Sequence, residues 1–241
     1  MKITNKTVLI TGANRGIGKA LVAEALKRGA KIVYAGARTT LQHPDARVIP
    51  LELDVTNVAH IQRAAREIAH LDVLINNAGI ALYDDLGKQE LIDQHFAVNF
   101  FGPLNVTRAF LPQLSRVKGA VVNNLSLVAL APVPMLAAYS ISKAAAFNLT
   151  QSLRALLAVQ GVTVHAVVLG PIDTDMTRGI DVPKASPEST AQGIFEGLEN
   201  KEDEIFPDAM SKSFAEGWRN GASKALERQF AAFLPQNAAN A

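Results

Sequence analysis

The chain has 241 residues, 49% apolar and 19% charged, which is enough apolar content for a core of helices around a sheet and too little polarity for a disordered chain. Its 24 basic and 22 acidic side chains leave a net charge of +2 with no dense basic cluster, which argues against nucleic acid as a partner. The lack of cysteine excludes disulfides, thiol catalysis and cysteine–metal sites, and it suits a reducing, cytoplasmic setting.

Met1–Val8 lacks the apolar core of a secretory signal, and no apolar run reaches membrane-spanning length, so no membrane association is expected. Thr7–Ile10 reads as a buried strand. A glycine-rich turn and a helix over Ile17–Arg28 follow, with Ile17, Leu21 and Ala25 on one face. Gly29 is placed to end that helix in the left-handed conformation. Lys31–Ala35 reads as a second strand and Val48–Leu53 contains a third. Asn57 is placed to cap a helix reaching about Ala69. Asp72–Ile75 reads as a fourth strand. Two helical segments follow, at about Lys88–Phe101 and Pro103–Arg116. Pro103 suits a first turn, and Pro112 is expected to bend the second segment.

Ala120–Leu125 reads as a fifth strand. A loop with Pro132 and Pro134 leads to a long helix over Tyr139–Gln160, ended by Gly161, and Val162–Leu169 reads as a sixth strand. From Gly170 to Pro187 the chain is punctuated by Gly, Pro, Thr and Asp. Beyond it, a helix is expected over Glu188–Glu199 and a short strand over Glu204–Phe206. Ser211–Phe233 reads as helical, interrupted by Gly217 and Gly221, before a frayed tail at Gln236–Ala241. The alternation predicts an α/β fold. A single doubly wound, Rossmann-type domain spans 1–241, with a mostly parallel sheet and helices on both faces. Within it, the region of about 174–234 is expected to cover a substrate.

The first strand runs into Thr11-Gly12-Ala13-Asn14-Arg15-Gly16-Ile17-Gly18. Glycines here permit a tight turn and let a pyrophosphate approach the backbone, while the helix N-terminus offers free N–H groups. The same glycines also suit a plain strand-to-helix turn, so the decision falls to residues elsewhere.

With Tyr139-Ser140-Ile141-Ser142-Lys143 included, the chain resembles the compact subgroup of the short-chain dehydrogenase/reductase family. The resemblance runs from about Val8 to Met176. It rests on the Thr-Gly-x-x-x-Gly-x-Gly spacing, Asp54-Val55, Asn76-Asn77-Ala78-Gly79, Asn99, Ser126 thirteen residues before Tyr139, and Tyr139 with Lys143. It implies a nicotinamide dinucleotide held by Gly12, Asn14, Arg15, Gly16, Ile17 and Gly18. Asp54 and Val55 would lie beside the adenine. Asn77, Ala78 and Gly79 would line the cofactor, and Gly170, Ile172 and Thr174 would border its nicotinamide end. One departure stands out: Leu169-Gly170 replaces the Pro-Gly pair common in the family, which leaves the path of that loop open.

No acid ends the second strand in Tyr34-Ala35-Gly36-Ala37-Arg38. Arg38 and Arg15 suit the 2′-phosphate of NADP(H), although both also fit ordinary solvated positions. Tyr139 and Lys143 lie one helical turn apart. A nearby ammonium lowers a phenol's pKa, so Lys143 is expected to ready Tyr139 as the acid/base, with Ser126 bonding the reacting oxygen. By resemblance, Asn99 positions a water in a relay to Lys143. Leu127, Val128, Leu130, Leu136, Ile172 and Met176 suggest a largely apolar carbonyl or alcohol substrate or an apolar pocket wall, although most of them equally suit the core. The five histidines show no metal spacing. By resemblance, the faces of Pro103–Arg116 and Tyr139–Gln160 would pair in a homodimer or homotetramer, although the same apolar faces also serve packing within the subunit. The alternative is an NADP(H)-binding redox sensor or scaffold, which would not need the Ser126–Tyr139–Lys143 set.

Overall fold

A computed structural model describes residues 1–39 and 42–233; the tail expected at Gln236–Ala241 lies outside them. Seven strands, β1 (Thr7–Thr11), β2 (Ile32–Ala37), β3 (Val48–Glu52), β4 (Val73–Asn76), β5 (Ala120–Asn124), β6 (Thr163–Val167) and β7 (Glu204–Ile205), form one sheet. Its order is β3-β2-β1-β4-β5-β6-β7, and every neighbouring pair is parallel. The expected α/β, Rossmann-type architecture is therefore present. The winding reverses between β1 and β4, which opens a crevice at their C-terminal ends.

Alternation along the strands explains the layers, because successive side chains of a strand point to opposite faces. Val8, Ile10, Val73, Ile75 and Val122 face one side, where they pack with Leu21, Val22 and Ala25 of α1 (Gly16–Lys27) and Ile194, Phe195 and Leu198 of α6 (Pro187–Glu199). Leu9, Leu74, Val121 and Val164 face the other. There they meet Ile61 and Ala64 of α2 (Val58–Glu67), Val106, Phe110 and Leu114 of α4 (Gly102–Val117), and Leu153 and Leu157 of α5 (Ala137–Ala158). Burying a large apolar side chain contributes roughly 1.5–3 kcal/mol, so each strand is held from both faces.

The local signals behave as their chemistry requires. Asn57 caps α2, its side-chain oxygen accepting from the Ala59 and His60 amides. Gly29 and Gly161 both take positive φ where helices end.

Several boundaries differ from expectation. The segments expected at Lys88–Phe101 and Pro103–Arg116 form one continuous helical run. It consists of α3 (Gln89–Phe96), a widened π turn over Ala97–Phe101, and α4. Pro103 lacks an N–H and starts α4 without ending the run. Gly102 is needed there because an added Cβ would lie 2.9 Å from Val55 Cγ2. Gly217 does not interrupt α7 (Ala209–Arg219); the break before α8 (Ala222–Ala231) falls at Asn220–Gly221. The loop expected after the fifth strand contains a 3-10 turn at Leu127–Ala129, capped by Ser126. Strand β2 runs on to Ala37, which places Arg38 directly at its end. Among the described residues, no helix is long and apolar enough to cross a membrane.

Candidate active site

The crevice holds a cavity of about 780 Å³, within the range of small-molecule sites. Gly12, Asn14, Arg15, Gly16, Ile17, Gly18, Arg38, Asp54, Val55, Asn77, Ala78, Gly79, Tyr139, Lys143 and Thr174 all line it. Gly170 and Ile172 do not. The Gly170 amide donates to Asp208 Oδ2 at 2.9 Å, and an added Cβ would sit 2.5 Å from Asp208 Oδ1. Ile172 is buried, and its carbonyl accepts from the Thr177 hydroxyl. This stretch supports the wall from behind, and the lining falls instead to Leu169, Asp175 and Met176.

The glycine turn is shaped for an elongated, phosphate-bearing ligand. Gly12 and Gly16 have φ of +65° and +51°, a region that strains other residues. An added Cβ would lie 2.9 Å from Ala78 Cα at Gly12 and 2.0 Å from the Gly12 carbonyl oxygen at Gly18. Asn77 locks this packing by donating its side-chain amide to the carbonyls of Thr11 and Gly12, at 2.9 and 3.1 Å. The first turn of α1 then faces the cavity with its free amides and carries no acidic side chain that would repel an anion.

Charge is placed at one end. Arg38 and Arg15 both line the cavity. Arg15 pairs with Asp175 at 3.5 Å, with both side chains at least half exposed. Burial pushes the Asp54 carboxyl up, but donations from Thr56 and the charges of Arg38 and His60 outweigh it and hold the group below its ordinary value. Asp54 therefore stands as an acceptor beside Arg38.

At the other end, a buried polar layer fixes α5. The Asn76 side chain donates to Asn123 Oδ1 at 2.8 Å and to the Thr107 hydroxyl at 3.1 Å, and Asn123 donates to Thr150 at 3.0 Å. These bonds tie β4, β5, α4 and α5 together. Tyr139 stands on the cavity wall with the Ser126 hydroxyl beside it. Lys143 Nζ lies 5.9 Å from the Tyr139 ring centre and donates to the Asn124 carbonyl at 2.8 Å. Asn99 does not line the cavity. It is buried, and its amide bonds both the N–H and the carbonyl of Ile80 at 3.0 Å and the Ser142 hydroxyl at 3.0 Å.

The Tyr139 phenol lies above its ordinary value, not below it as expected from Lys143. Burial pushes the phenol up to about 12, against a smaller opposite pull from Ser126. Burial also pushes the Lys143 ammonium down to about 8. At neutral pH the pair is thus a phenol beside an ammonium, a protonated acid facing the cavity. The lysine shift has a consequence for stability. Folded Lys143 releases its proton near pH 8, but an unfolded lysine holds it to about 10.5, so the folded chain binds fewer protons between those values. Stability relative to Lys143→Met should therefore rise as pH increases through that window. Urea unfolding of both proteins at the two ends of the window checks this; a flat difference refutes it.

Sequence reasoning missed Asn124. Its side chain donates to Asn77 Oδ1 at 2.9 Å, linking the glycine turn to the carbonyl that holds Lys143. The available signal was a second asparagine, Asn123-Asn124, at the end of an otherwise apolar strand. Of the six residues proposed for an apolar wall, Met176 lines this cavity, while Leu127 and Leu130 pack against a core of Leu125, Phe147 and Phe206. No metal-binding cluster exists among the described residues.

Known proteins place this geometry. A family model described as short chain dehydrogenase matches residues 6–184. The 2,3-dihydro-2,3-dihydroxybenzoate dehydrogenase of Escherichia coli (strain K12) is 36% identical over 202 residues, 81% of each chain. The 11-beta-hydroxysteroid dehydrogenase-like 2 protein of Arabidopsis thaliana is 31% identical over 220 residues, 81% of this chain and 71% of its own. A crystal structure of a short chain dehydrogenase from Burkholderia cenocepacia J2315, in complex with NADP, is 38% identical and superposes with a TM-score of 0.85. The match covers 95% of this chain and 99% of that one.

Proposed function

The chain belongs to the short chain dehydrogenase family, and from that premise we propose that it is an NADP(H)-dependent oxidoreductase acting on a carbonyl or alcohol carbon, with Tyr139 as the acid/base. One observation carries the reading: Tyr139, with Ser126 beside it and Lys143 one turn on, opens into the same cavity as the glycine turn and the two arginines.

The cofactor, when bound, supplies or accepts the hydride. Gly12, Gly16, Gly18 and the free amides of α1 would hold its pyrophosphate, and Arg15 and Arg38 the 2′-phosphate. The NADP found with the Burkholderia relative supports this choice. In reduction, Tyr139 gives its phenol proton to the carbonyl oxygen as the carbon gains the hydride. In oxidation it takes the hydroxyl proton. Ser126 bonds the same oxygen and stabilises its developing charge. Lys143 holds a positive charge beside the phenolate that reduction leaves behind, and Asn99 orders the path by which its proton is replaced. Ile80, Val98, Leu169 and Met176 give the cavity apolar wall, which suits a largely apolar substrate.

The test is a titration with NADPH and NADH, followed by absorbance of the reduced cofactor across ketones, aldehydes and quinones. A phosphate–guanidinium contact is worth about 1.5–3 kcal/mol, so NADPH should be favoured in kcat/KM by about 10–100-fold. Arg38→Ala should remove most of that preference. A preference for NADH overturns the cofactor assignment. Tight NADPH binding with no turnover in either direction would favour the sensor reading.

A further inference from the structure

We propose that His95 is a positioning residue for Tyr139, a neutral imidazole that fixes the segment Ile80–Asp84 as a brace against the helix carrying the phenol. The inference deepens the oxidoreductase reading and rests on it.

His95 lies on α3, one turn before Asn99, and is fully buried. Its two nitrogens face opposite partners. Nδ1 sits 2.7 Å from the Leu91 carbonyl, an acceptor, so Nδ1 carries the proton. Nε2 sits 3.0 Å from the Leu82 amide, a donor, so Nε2 must be a bare lone pair. The neutral ring protonated at Nδ1 meets both demands; an imidazolium would set two donors face to face. The same ring packs against Tyr139, with centres 6.2 Å apart and planes tilted by 54°.

The segment that His95 holds is fixed at alternate residues, the period of an extended chain. Ile80 is held through its N–H and carbonyl by Asn99, and Leu82 by His95. The Asp84 amide donates to the Met135 carbonyl at 3.2 Å. The Asp84 carboxylate takes the Ala138 amide at 2.9 and 3.1 Å. Ala138 directly precedes Tyr139 in the first turn of α5, where amides have no partner within the helix and a negative charge is favourable. His95 thus controls Tyr139 from two sides, through the ring it packs against and through the brace that anchors its helix. Asn99 fixes the cofactor end of the brace. Among the described residues, His95 alone accepts the amide at its middle.

The test uses the full chain with His95→Leu, which keeps bulk but removes the acceptor, and His95→Gln, which restores an acceptor for Leu82. Two readouts are needed. Amide hydrogen exchange at Leu82 and Ala138 requires no turnover. Kinetics use NADPH with the best ketone of the panel described above. Loss of the acceptor for the Leu82 amide should speed exchange at both positions by about tenfold or more in His95→Leu and lower kcat by a similar factor. NADPH affinity should stay within about threefold, and His95→Gln should recover both readouts to within about threefold. Unchanged exchange at Ala138, an unchanged kcat, or a glutamine variant as impaired as leucine would each overturn the proposal. If neither a carbonyl nor an alcohol turns over in the unaltered protein, the enzyme reading fails while exchange at Ala138 still decides whether the brace exists. Should His95→Leu fail to fold, Asp84→Ala removes the other end of the brace from a more exposed position. It should give the same fall in kcat and the same rise at Ala138, and a retained kcat refutes the proposal.

Discussion

Replacing Tyr139 with phenylalanine should cut turnover by about 10²–10⁴-fold, the usual contribution of a positioned acid or base, while leaving NADPH affinity within about threefold. The phenol is the group on this wall that both carries a proton at neutral pH and stands beside Ser126. Phenylalanine keeps the ring that packs against His95, so the fold and the brace should survive. With the phenol pushed up to about 12, the proposed reduction would draw on an acid that is already protonated throughout the usual assay range. The proposed oxidation would need the rare phenolate, so its rate should climb with pH. Near-normal reduction in Tyr139→Phe, measured by loss of reduced cofactor, would remove Tyr139 from the mechanism.

The second large effect lies at the opposite end of the cavity. Gly18→Ala should lower NADPH affinity by about a hundredfold or more and destabilise the fold by about 1–3 kcal/mol, because an overpacked site must shift its backbone. The new methyl would sit 2.0 Å from the Gly12 carbonyl oxygen and 2.7 Å from Asn77 Nδ2, the two atoms whose bond closes the glycine turn. The first is backbone, and the second is held by its bonds to the Thr11 and Gly12 carbonyls. Gly217→Ala is the control, since an added Cβ there meets nothing within 4 Å; it should gain about 0.5–1 kcal/mol from helix propensity. Fluorescence titration with NADPH and urea unfolding read both variants. Wild-type NADPH affinity in Gly18→Ala would mean that the turn does not hold the cofactor.

The parts that were legible in the sequence are those set by local pattern. Apolar runs buried on both faces gave the strands, and the turn from β1 into α1 is written in its glycines. Tyr139 and Lys143 share a face because a helix repeats every 3.6 residues. What the sequence hid depends on contacts between distant segments. The continuity of α3 with α4 turns on Gly102 meeting Val55, some way back along the chain, while locally Gly102-Pro103 reads as a break. His95 resembles any other helical histidine until the Leu82 amide arrives opposite it. Gly170 and Ile172 face away from the cavity because Asp208, on the approach to α7, claims the Gly170 amide. The proton affinity of Tyr139 follows the depth of protein around it, which no spacing rule reports.

The π turn at Ala97–Phe101 imposes a limit on length variation. Each residue of an α-helix advances about 100°, and a widened turn takes up an extra residue without adding a full turn. That extra residue lets two different alignments coexist on one rod: His95 and Asn99 address the brace, while Val106, Phe110 and Leu114 address the sheet. A substitution within the turn changes one side chain. Deleting one residue would swing one alignment about 100° away from its partners, and adding one would do the same in the opposite sense. Insertions and deletions fixed during divergence of this chain should therefore collect in the connections outside 89–117 and be purged from this rod, however mild its individual point changes prove to be.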